Sequence, residues 1–228
     1  MIQKYVVIVA GGSGTRMESD LPKQFMALNE KPILMHTIET FYSFDNTFTI
    51  IVVIPGDQLK FWQELCQLHQ FNFPHQLVTG GKTRFHSVKN GLSFITEEGL
   101  VAIHDGVRPL VSHDTIARCF ETAEREGNAI PCIPVHETVR QIVHDKNTGI
   151  DRNSLKLIQT PQVFTCRLIK KAFEQPYNPA FTDEANVVEN IGTTIHLVEG
   201  NRENIKLTEP LDLILAEGIL KNKSRKQY

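Results

Sequence analysis

The chain has 228 residues, of which 41% are hydrophobic and 22% charged, and its formal net charge is −2. This composition is that of an ordinary globular protein, and it excludes a wholly disordered chain. Because a charge so close to zero gives no overall attraction to nucleic acid or to anionic membranes, we expect neither as a partner. Any polyanionic ligand must therefore be held by local cations.

The apolar segments and the cysteines bear on location. No apolar run approaches the roughly 18–20 residues that a transmembrane helix requires. The apolar stretch at 5–10 is too short for the core of a signal peptide. The four cysteines are widely spaced and show neither a CxxC pattern nor a cluster with histidine. We therefore expect free thiols in a reducing compartment and predict a cytoplasmic protein.

Short apolar runs alternate with stretches of helical periodicity along most of the chain. The first run, YVVIVA at 5–10, is followed at once by GGSG, which indicates a buried strand ending in a turn. Strands that alternate with helices predict right-handed βαβ crossovers and a Rossmann-like three-layer α/β sandwich with a mainly parallel sheet. Further strands are predicted at 49–55, 100–105, 128–135 and 194–198, and helices at 32–44, 61–71, 84–95, 113–127, 165–175, 182–192 and 208–220.

Residues 136–154 interrupt this alternation. Within them, ETVRQIV has alternating character, KNTG is a turn signal, and IDRNS leads back towards the core. The pattern predicts a protruding β-hairpin. Because a two-stranded hairpin cannot bury a core of its own, we expect it to pack on another subunit as a dimerisation arm. The length fits a single domain spanning 1–228, with this arm as an insertion.

Polar segments follow several predicted strands, and in parallel sheets ligands bind at such strand ends. The first segment, Ala10 to Arg16, is rich in glycine, so its backbone N–H groups can surround phosphate oxygens. It is not a dinucleotide-binding fingerprint, because Met17 occupies the place of the third glycine, and it lacks the lysine of a P-loop. The cations Arg16 and Lys23 suit a bound triphosphate instead.

A second polar segment, HDGVRP, begins at His104. Asp105 lies at the end of the strand predicted for 100–105. A carboxylate beside a triphosphate is unfavourable unless a cation intervenes, so Asp105 implies bound Mg²⁺ or contact with substrate hydroxyls. A turn-forming role for Asp105 before Pro109 is the alternative. His104 is expected to pack at the strand end, and none of the nine histidines has a convincing zinc spacing.

Several segments together resemble a known family. AGGSGTRM and LPKQF resemble the signature of the sugar-nucleotide pyrophosphorylases. The order and spacing of later segments resemble the 2-C-methyl-D-erythritol 4-phosphate cytidylyltransferase family over about residues 5–220. This resemblance implies a nucleotidyltransferase that joins CTP to 2-C-methyl-D-erythritol 4-phosphate, with Mg²⁺, in the non-mevalonate route to isoprenoid precursors. The later segments are GGKTRFHSVKNGL (80–92), HDGVRPLV (104–111), DRNSLKLIQTPQVF (151–164), TDEA (182–185) and GNRENIKLTEPLDL (200–213).

The resemblance implies three groups of site residues, and it places Thr138 and Arg152 of the arm in the neighbouring subunit's site. Catalytic cations around the reacting phosphates would be Arg16, Lys23, Arg152 and Lys206. Nucleotide contacts would come from Ala10, Gly11, Gly12, Gly14, Gly80, Gly81, Arg84 and Ser87. The alcohol phosphate would be bound by Asp105, Arg108, Thr138, Arg152, Thr160 and Thr182, with Asp105 also the residue nearest the metal.

Alternatives stay open for the substrate and for some residues. Gly11, where the family commonly has alanine, and DGVRP in place of DAARP are closer to ribitol-5-phosphate cytidylyltransferase, whereas TDEA and DRNSL favour the methylerythritol enzyme. Another sugar-phosphate nucleotidyltransferase and a non-catalytic nucleotide-binding module are further alternatives. Ser87 could bond to backbone, Arg152 could be an idle surface residue, and Asp183 with Glu184 could begin a helix as its cap.

Overall fold

The structure is a computed structural model that describes residues 2–12 and 21–225. The predicted site residues Gly14 and Arg16 lie outside the described residues. The strands are β1 (Gln3–Val9), β2 (Ala27–Leu28), β3 (Lys31–Pro32), β4 (Thr49–Ile54), β5 (Gln76–Thr79), β6 (Gly99–Asp105), β7 (Asn128–Pro134), β8 (Val139–Val143), β9 (Lys146–Ile150), β10 (Lys156–Ile158), β11 (Gln162–Thr165) and β12 (Leu197–Glu199). The helices are α1 (Ile33–Phe44), α2 (Leu59–Leu68), α3 (Arg84–Leu92), α4 (His113–Glu126), α5 (Cys166–Ala172), α6 (Glu184–Glu189) and α7 (Pro210–Arg225).

One large sheet organises these elements. Its parallel half has the order β5-β4-β1-β6, and β11 then lies antiparallel between β6 and β7. Beyond β11, β7 pairs with β12 in parallel and with β10 antiparallel. In register, Val9 of β1 lies opposite both Val53 and Asp105, so the carboxyl ends of three strands meet at one edge. The predicted α/β fold with a mainly parallel sheet is confirmed.

Helices cover both faces of the sheet, which explains why its central strands are continuously apolar. Along β1, Val6 and Ile8 belong to a core with Met35 and Ile38 of α1 on one face. Alternate residues of β1 face the opposite core, which includes Val88 of α3. The sheet therefore lies between two layers of helices, with a buried core on each face, which gives the three layers that the sequence pattern predicts.

Helix and strand ends differ from the predictions by a few residues. Helix α2 begins two residues early and stops before Gln70, whose positive φ of 50° takes the chain out of helical geometry. Helix α3 ends at Leu92 rather than 95, and α6 is shorter than the range 182–192 predicted for it. The strand predicted at 194–198 forms at Leu197–Glu199. Strands β2, β3, β5, β10 and β11 were not predicted.

The hairpin predicted within 136–154 is confirmed. Strands β8 and β9 pair antiparallel from Val139↔Ile150 to Val143↔Lys146. Their side chains are largely exposed, and Ile142 is 77% accessible. The role of the hairpin in a dimer and the single-domain boundary stay predictions. Among the described residues, no helix has the length and apolar character that crossing a membrane requires.

Candidate active site

A cavity of about 350 Å³ opens at the edge where β1 and β6 end. It draws residues from segments far apart in the sequence: the first glycine-rich turn, the 3-10 turn Lys23–Phe25, the start of α3, the end of β6, and the segment around 206. Nine of the predicted site residues line it: Ala10, Gly11, Gly12, Lys23, Gly81, Arg84, Ser87, Asp105 and Lys206. Gln24, Lys82 and Thr83 also line it and were not predicted.

Two glycines bring backbone close to the cavity. A Cβ on Gly12 would lie 3.0 Å from Cε of Lys23, so this lysine side chain runs directly along the glycine turn. A Cβ on Gly81 would collide with His86 at the start of α3. The Gly81 N–H instead donates to Oγ of Ser87 over 3.0 Å. Ser87 therefore lines the cavity and also bonds to backbone, which confirms the backbone alternative. Its contact with a nucleotide stays a prediction.

Asp105 is the centre of an ion-pair cluster. It ends β6, and its side chain is only 6% exposed. Its Oδ1 accepts a hydrogen bond from Nη1 of Arg84 at 2.5 Å, while its Oδ2 lies 3.2 Å from Nε of Arg108 and 3.0 Å from Nζ of Lys206. A second Arg108 nitrogen donates to the backbone carbonyl of Asn204 over 2.7 Å. The cations predicted at 84, 108 and 206 therefore converge on one carboxylate.

Burial and charge act in opposite directions on the pKa of Asp105. Burial alone would raise it, but the cations of Arg84, Lys206 and Arg108 outweigh burial and hold it well below its ordinary value. The Asp105 carboxylate is therefore ionised over the whole physiological range. Its negative charge holds in place the ammonium of Lys206, a residue whose side chain is 42% exposed and lines the cavity.

Glu184, which the sequence interpretation treated only as part of a helix cap, joins this cluster through Arg84. It accepts two hydrogen bonds from Arg84, one to Oε1 at 3.0 Å and one to Oε2 at 2.9 Å. Its side chain is 2% exposed. Asp183 caps α6 by accepting from the Asn186 N–H, which confirms the helix-cap alternative for Asp183. Arg84 and Glu184 are 100 residues apart in sequence. No local sequence signal therefore links them, and the contact becomes visible only in the folded structure.

His104 packs under the site, as predicted. It is fully buried, its ring lies edge-on to Phe41, and its Nε2 lies 3.0 Å from the carbonyl oxygen of Arg108. Its Nδ1 lies 3.0 Å from Oγ1 of Thr160, which also accepts the Asp105 N–H over 3.1 Å. A neutral imidazole satisfies this arrangement by donating from Nε2 and accepting at Nδ1. Thr160 therefore supports the end of β6 from beneath.

The burial of His104 predicts a loss of stability in mild acid. Burial lowers the pKa of His104 to about 4. In the unfolded chain the same imidazole is protonated below about pH 6.5, whereas in the folded protein it stays neutral down to about pH 4. Stability is therefore complete above about pH 6.5 and falls towards pH 4, by roughly 3 kcal/mol. Urea unfolding at pH 7 and pH 4.5 should show a steeper decline for wild type than for His104→Gln. Contributions from His36 and His75, whose pKa values burial also lowers, cancel in this comparison, and equal declines would contradict the prediction.

Of the six predicted substrate residues, Asp105 alone lines the cavity, while Arg108 and Thr160 contact Asp105 without lining it. The other three lie away from both the cavity and Asp105. Thr138 and Arg152 are exposed at the base of the hairpin, where Arg152 donates to the His136 carbonyl at 2.6 Å. Thr182 is exposed and its hydroxyl donates to the Asn186 side chain at 2.6 Å. Within one chain these three do not join the cluster around Asp105. Their predicted roles require either a neighbouring subunit or a bound substrate, and they stay predictions.

The described residues offer a limited set of metal ligands. They contain no group of three or more His, Cys, Asp or Glu side chains suited to a metal ion. Of the described residues that line the cavity, Asp105 alone carries a carboxylate. A Mg²⁺ ion commonly takes one or two carboxylates, keeps several waters and takes the rest of its ligands from substrate phosphates. The site therefore fits a Mg²⁺ ion that arrives with a nucleotide rather than one held in a protein cage.

Comparison with known proteins decides the family. The family model for 2-C-methyl-D-erythritol 4-phosphate cytidylyltransferase matches residues 4–222. The chain belongs to this family. The match confirms the predicted family and its nucleotidyltransferase class, and it does not favour the ribitol-5-phosphate alternative.

Individual relatives of the cytidylyltransferase family match along their whole length. The enzyme of that name from Phocaeicola vulgatus is 51% identical over 219 residues, which is 96% of this chain and 100% of the relative. The one from Bacteroides fragilis is 53% identical over 214 residues, covering 94% and 98%. The crystal structure of 4-diphosphocytidyl-2C-methyl-D-erythritol synthase from Anaerococcus prevotii has a TM-score of 0.82 at 26% identity and covers 96% of both chains. Sequence and fold therefore agree over the full cytidylyltransferase unit.

Proposed function

We propose that this chain transfers CMP from CTP to 2-C-methyl-D-erythritol 4-phosphate, giving CDP-methylerythritol and pyrophosphate for isoprenoid precursor synthesis. The observation that carries the proposal is the convergence of Lys23, Arg84 and Lys206 with Asp105 on one cavity, in a chain matched by the cytidylyltransferase family over residues 4–222. A cavity lined by glycine backbone and lysine side chains suits a triphosphate, since cations and N–H groups both bind phosphate oxygens.

The chemistry requires positioning and charge rather than a protein nucleophile. A phosphate oxygen of the methylerythritol substrate attacks the α-phosphorus of CTP in line, a new P–O bond forms, and the bond to the β-phosphate oxygen breaks with release of pyrophosphate. Lys23 beside the glycine turn and Lys206 at the Asp105 cluster stabilise the negative charge shared by the attacking and leaving oxygens. Without such cations the two anionic reactants would repel each other strongly.

Mg²⁺ is the proposed cofactor, with Asp105 as its protein ligand and the CTP phosphates supplying further oxygens. Bound there, the ion would neutralise phosphate charge and orient the triphosphate. Both Asp105 oxygens pair with cations, so Mg²⁺ bound here would share the carboxylate with them. Arg84 and Arg108 are held by further bonds, to Glu184 and to the Asn204 carbonyl respectively, and they keep the carboxylate oriented.

The arm is proposed to complete the site across a homodimer. Its exposed apolar residues, among them Ile142 and Val143, gain from burial against a second copy of the chain. Thr138 and Arg152, which lie away from their own cavity, would then bind the phosphate of the alcohol substrate in the partner's site. A cytoplasmic location is proposed as well, and the four free cysteines, three of them buried, support a reducing compartment.

The activity is tested by measuring pyrophosphate release with CTP and each acceptor in turn, in the presence of Mg²⁺. We expect rapid turnover with 2-C-methyl-D-erythritol 4-phosphate and little with ribitol 5-phosphate or a hexose phosphate. Activity with ribitol 5-phosphate alone would transfer the assignment to the alternative substrate. Absence of turnover with every acceptor would leave the non-catalytic nucleotide-binding module as the better interpretation.

Arg152→Ala should weaken binding of the alcohol phosphate selectively. Losing a charge-assisted hydrogen bond to phosphate should raise the KM for methylerythritol phosphate by roughly 10- to 100-fold, with the KM for CTP changed much less. The measurement is steady-state kinetics with each substrate varied, together with sedimentation of the wild-type protein, which should be a dimer.

Arg140→Ala is the matched control for the arm, because Arg140 lies on the same hairpin and donates a hydrogen bond within it, to the Asn147 side chain. It should leave both KM values near those of wild type. A fully active monomer at the assay concentration, or an unchanged KM in Arg152→Ala, would be incompatible with a shared site.

A further inference from the structure

We infer that Glu184 is a positioning residue for the nucleotidyl-transfer site, acting on Asp105 and Lys206 through Arg84. The inference rests on the proposed function, and it concerns a residue outside the cavity lining. Glu184 is buried at the first position of α6 and does not line the cavity formed by the described residues. Any influence that it has on the reaction must therefore pass through the group that it holds.

That group is Arg84. Glu184 accepts from its Nε at 3.0 Å and from its Nη2 at 2.9 Å, while Nη1 of the same guanidinium donates to Asp105. The two-point contact fixes the plane of the guanidinium as well as its position. Because the plane is fixed, Nη1 is directed at Oδ1 of Asp105, and Oδ2 is left for Lys206 and Arg108.

Glu184 is itself firmly placed by the sheet. The Ala185 N–H, next along α6, donates to Oε1 of Gln162 over 2.8 Å, and Nε2 of Gln162 donates to Asp183 over 2.9 Å. Gln162 belongs to β11 and lies opposite Ile103 of β6 in register. The start of α6 is therefore fastened to the strand beside the one that carries Asp105.

The charges explain what this arrangement achieves. Arg84 lines the cavity, and a free arginine there would bind phosphate oxygens tightly in the ground state. Two carboxylates neutralise the charge of the Arg84 guanidinium and occupy its N–H donors, so Arg84 binds the nucleotide weakly. Its role is to orient Asp105. Lys206, whose one ion pair within the described part of the chain is with Asp105, remains the cation available to the reacting phosphates. If Arg84 bound the phosphates equally strongly in the ground and transition states, that binding would not raise kcat.

The test is a double-mutant cycle on kcat, using the full-length protein with CTP, methylerythritol phosphate and Mg²⁺. Glu184→Gln should lower kcat by about 10- to 100-fold, because Arg84 would no longer orient Asp105 and, through it, Lys206. The KM for CTP should not rise, because the released Arg84 can bind the triphosphate in the ground state. Glu184→Asp, which keeps the charge, should regain part of the loss. In an Arg84→Gln background, Glu184→Gln should change kcat less than twofold, since its effect travels through the missing guanidinium.

The cycle separates positioning from a merely structural role. If Glu184 only supports folding, Glu184→Gln reduces kcat by the same factor whether or not Arg84 is present, and this outcome would overturn the inference. Near-normal kcat in Glu184→Gln would overturn it as well. Glu189→Gln, on the exposed side of the same helix, is the control and should behave as wild type. Turnover by the wild-type protein tests the proposed function separately, so failure of one idea is distinguishable from failure of the other.

Discussion

Lys206→Ala should lower kcat by about 10²- to 10³-fold while leaving the fold intact. Removing one preorganised group that stabilises transition-state charge typically costs this much. Lys206 is suited to that part because its ammonium is anchored 3.0 Å from Asp105, while its side chain is 42% exposed and lines the cavity. Its position allows it to stabilise the negative charge that develops on the phosphate oxygens as the α-phosphorus changes geometry. The KM for CTP should change far less than kcat, because Lys23 and the glycine turn remain.

The measurement is steady-state pyrophosphate release combined with thermal unfolding. Asp105 keeps Arg84 and Arg108 in the variant, so Tm should stay within roughly 3 °C of wild type. Lys60→Ala, which removes a lysine whose side chain is 89% exposed on α2, serves as the control and should have normal kcat. A kcat within threefold of wild type in Lys206→Ala would refute the role assigned to this lysine and weaken the proposed function.

The sequence was informative wherever a signal is local. The continuous apolar run of β1, the glycine turn after it and the carboxylate at the end of β6 all lie within a few consecutive residues. Their convergence then follows from parallel strands sharing one edge. Helix α4 matches its predicted range 113–127 to within one residue and ends beside the left-handed Gly127. Lys206 came from resemblance, and the structure brings it to Asp105.

Features that depend on distant pairing could not be predicted in the same way. Strand β11 is four residues long and lies antiparallel between two strands that run parallel to each other. Nothing in QVFT specifies such neighbours. Glu184 looked like an ordinary first-turn acidic residue, which is favourable at any helix start. Its pairing with Arg84 exists only after α3 and α6 are brought to the same side of the sheet, so burial of the charge became visible only in three dimensions.

Asp105→Asn should reduce both activity and stability strongly, with kcat falling by about 10³-fold or more. The substitution keeps the size of the side chain but removes the charge that holds three cations together. Arg84, Arg108 and Lys206 would then repel one another with Glu184 as the remaining buried anion of the described cluster. Breaking a buried ion pair by removing one partner costs about 3–5 kcal/mol, which corresponds to a Tm lower by roughly 10 °C for a chain of this size.

Acid unfolding gives an independent check on the same carboxylate. Because neighbouring cations hold the pKa of Asp105 below its unfolded value, its stabilising contribution is complete above about pH 4 and is lost as the pH falls further. Wild-type stability should therefore decline with decreasing pH below about 4 more steeply than that of Asp105→Asn. Asp114→Asn, on the exposed first turn of α4, should retain the wild-type slope and kcat. If Asp105→Asn kept the wild-type Tm and acid slope, then the three cations would not depend on this carboxylate. The cavity would then owe its positive charge to some other arrangement, and Lys206 would lose the anchor on which its catalytic position depends.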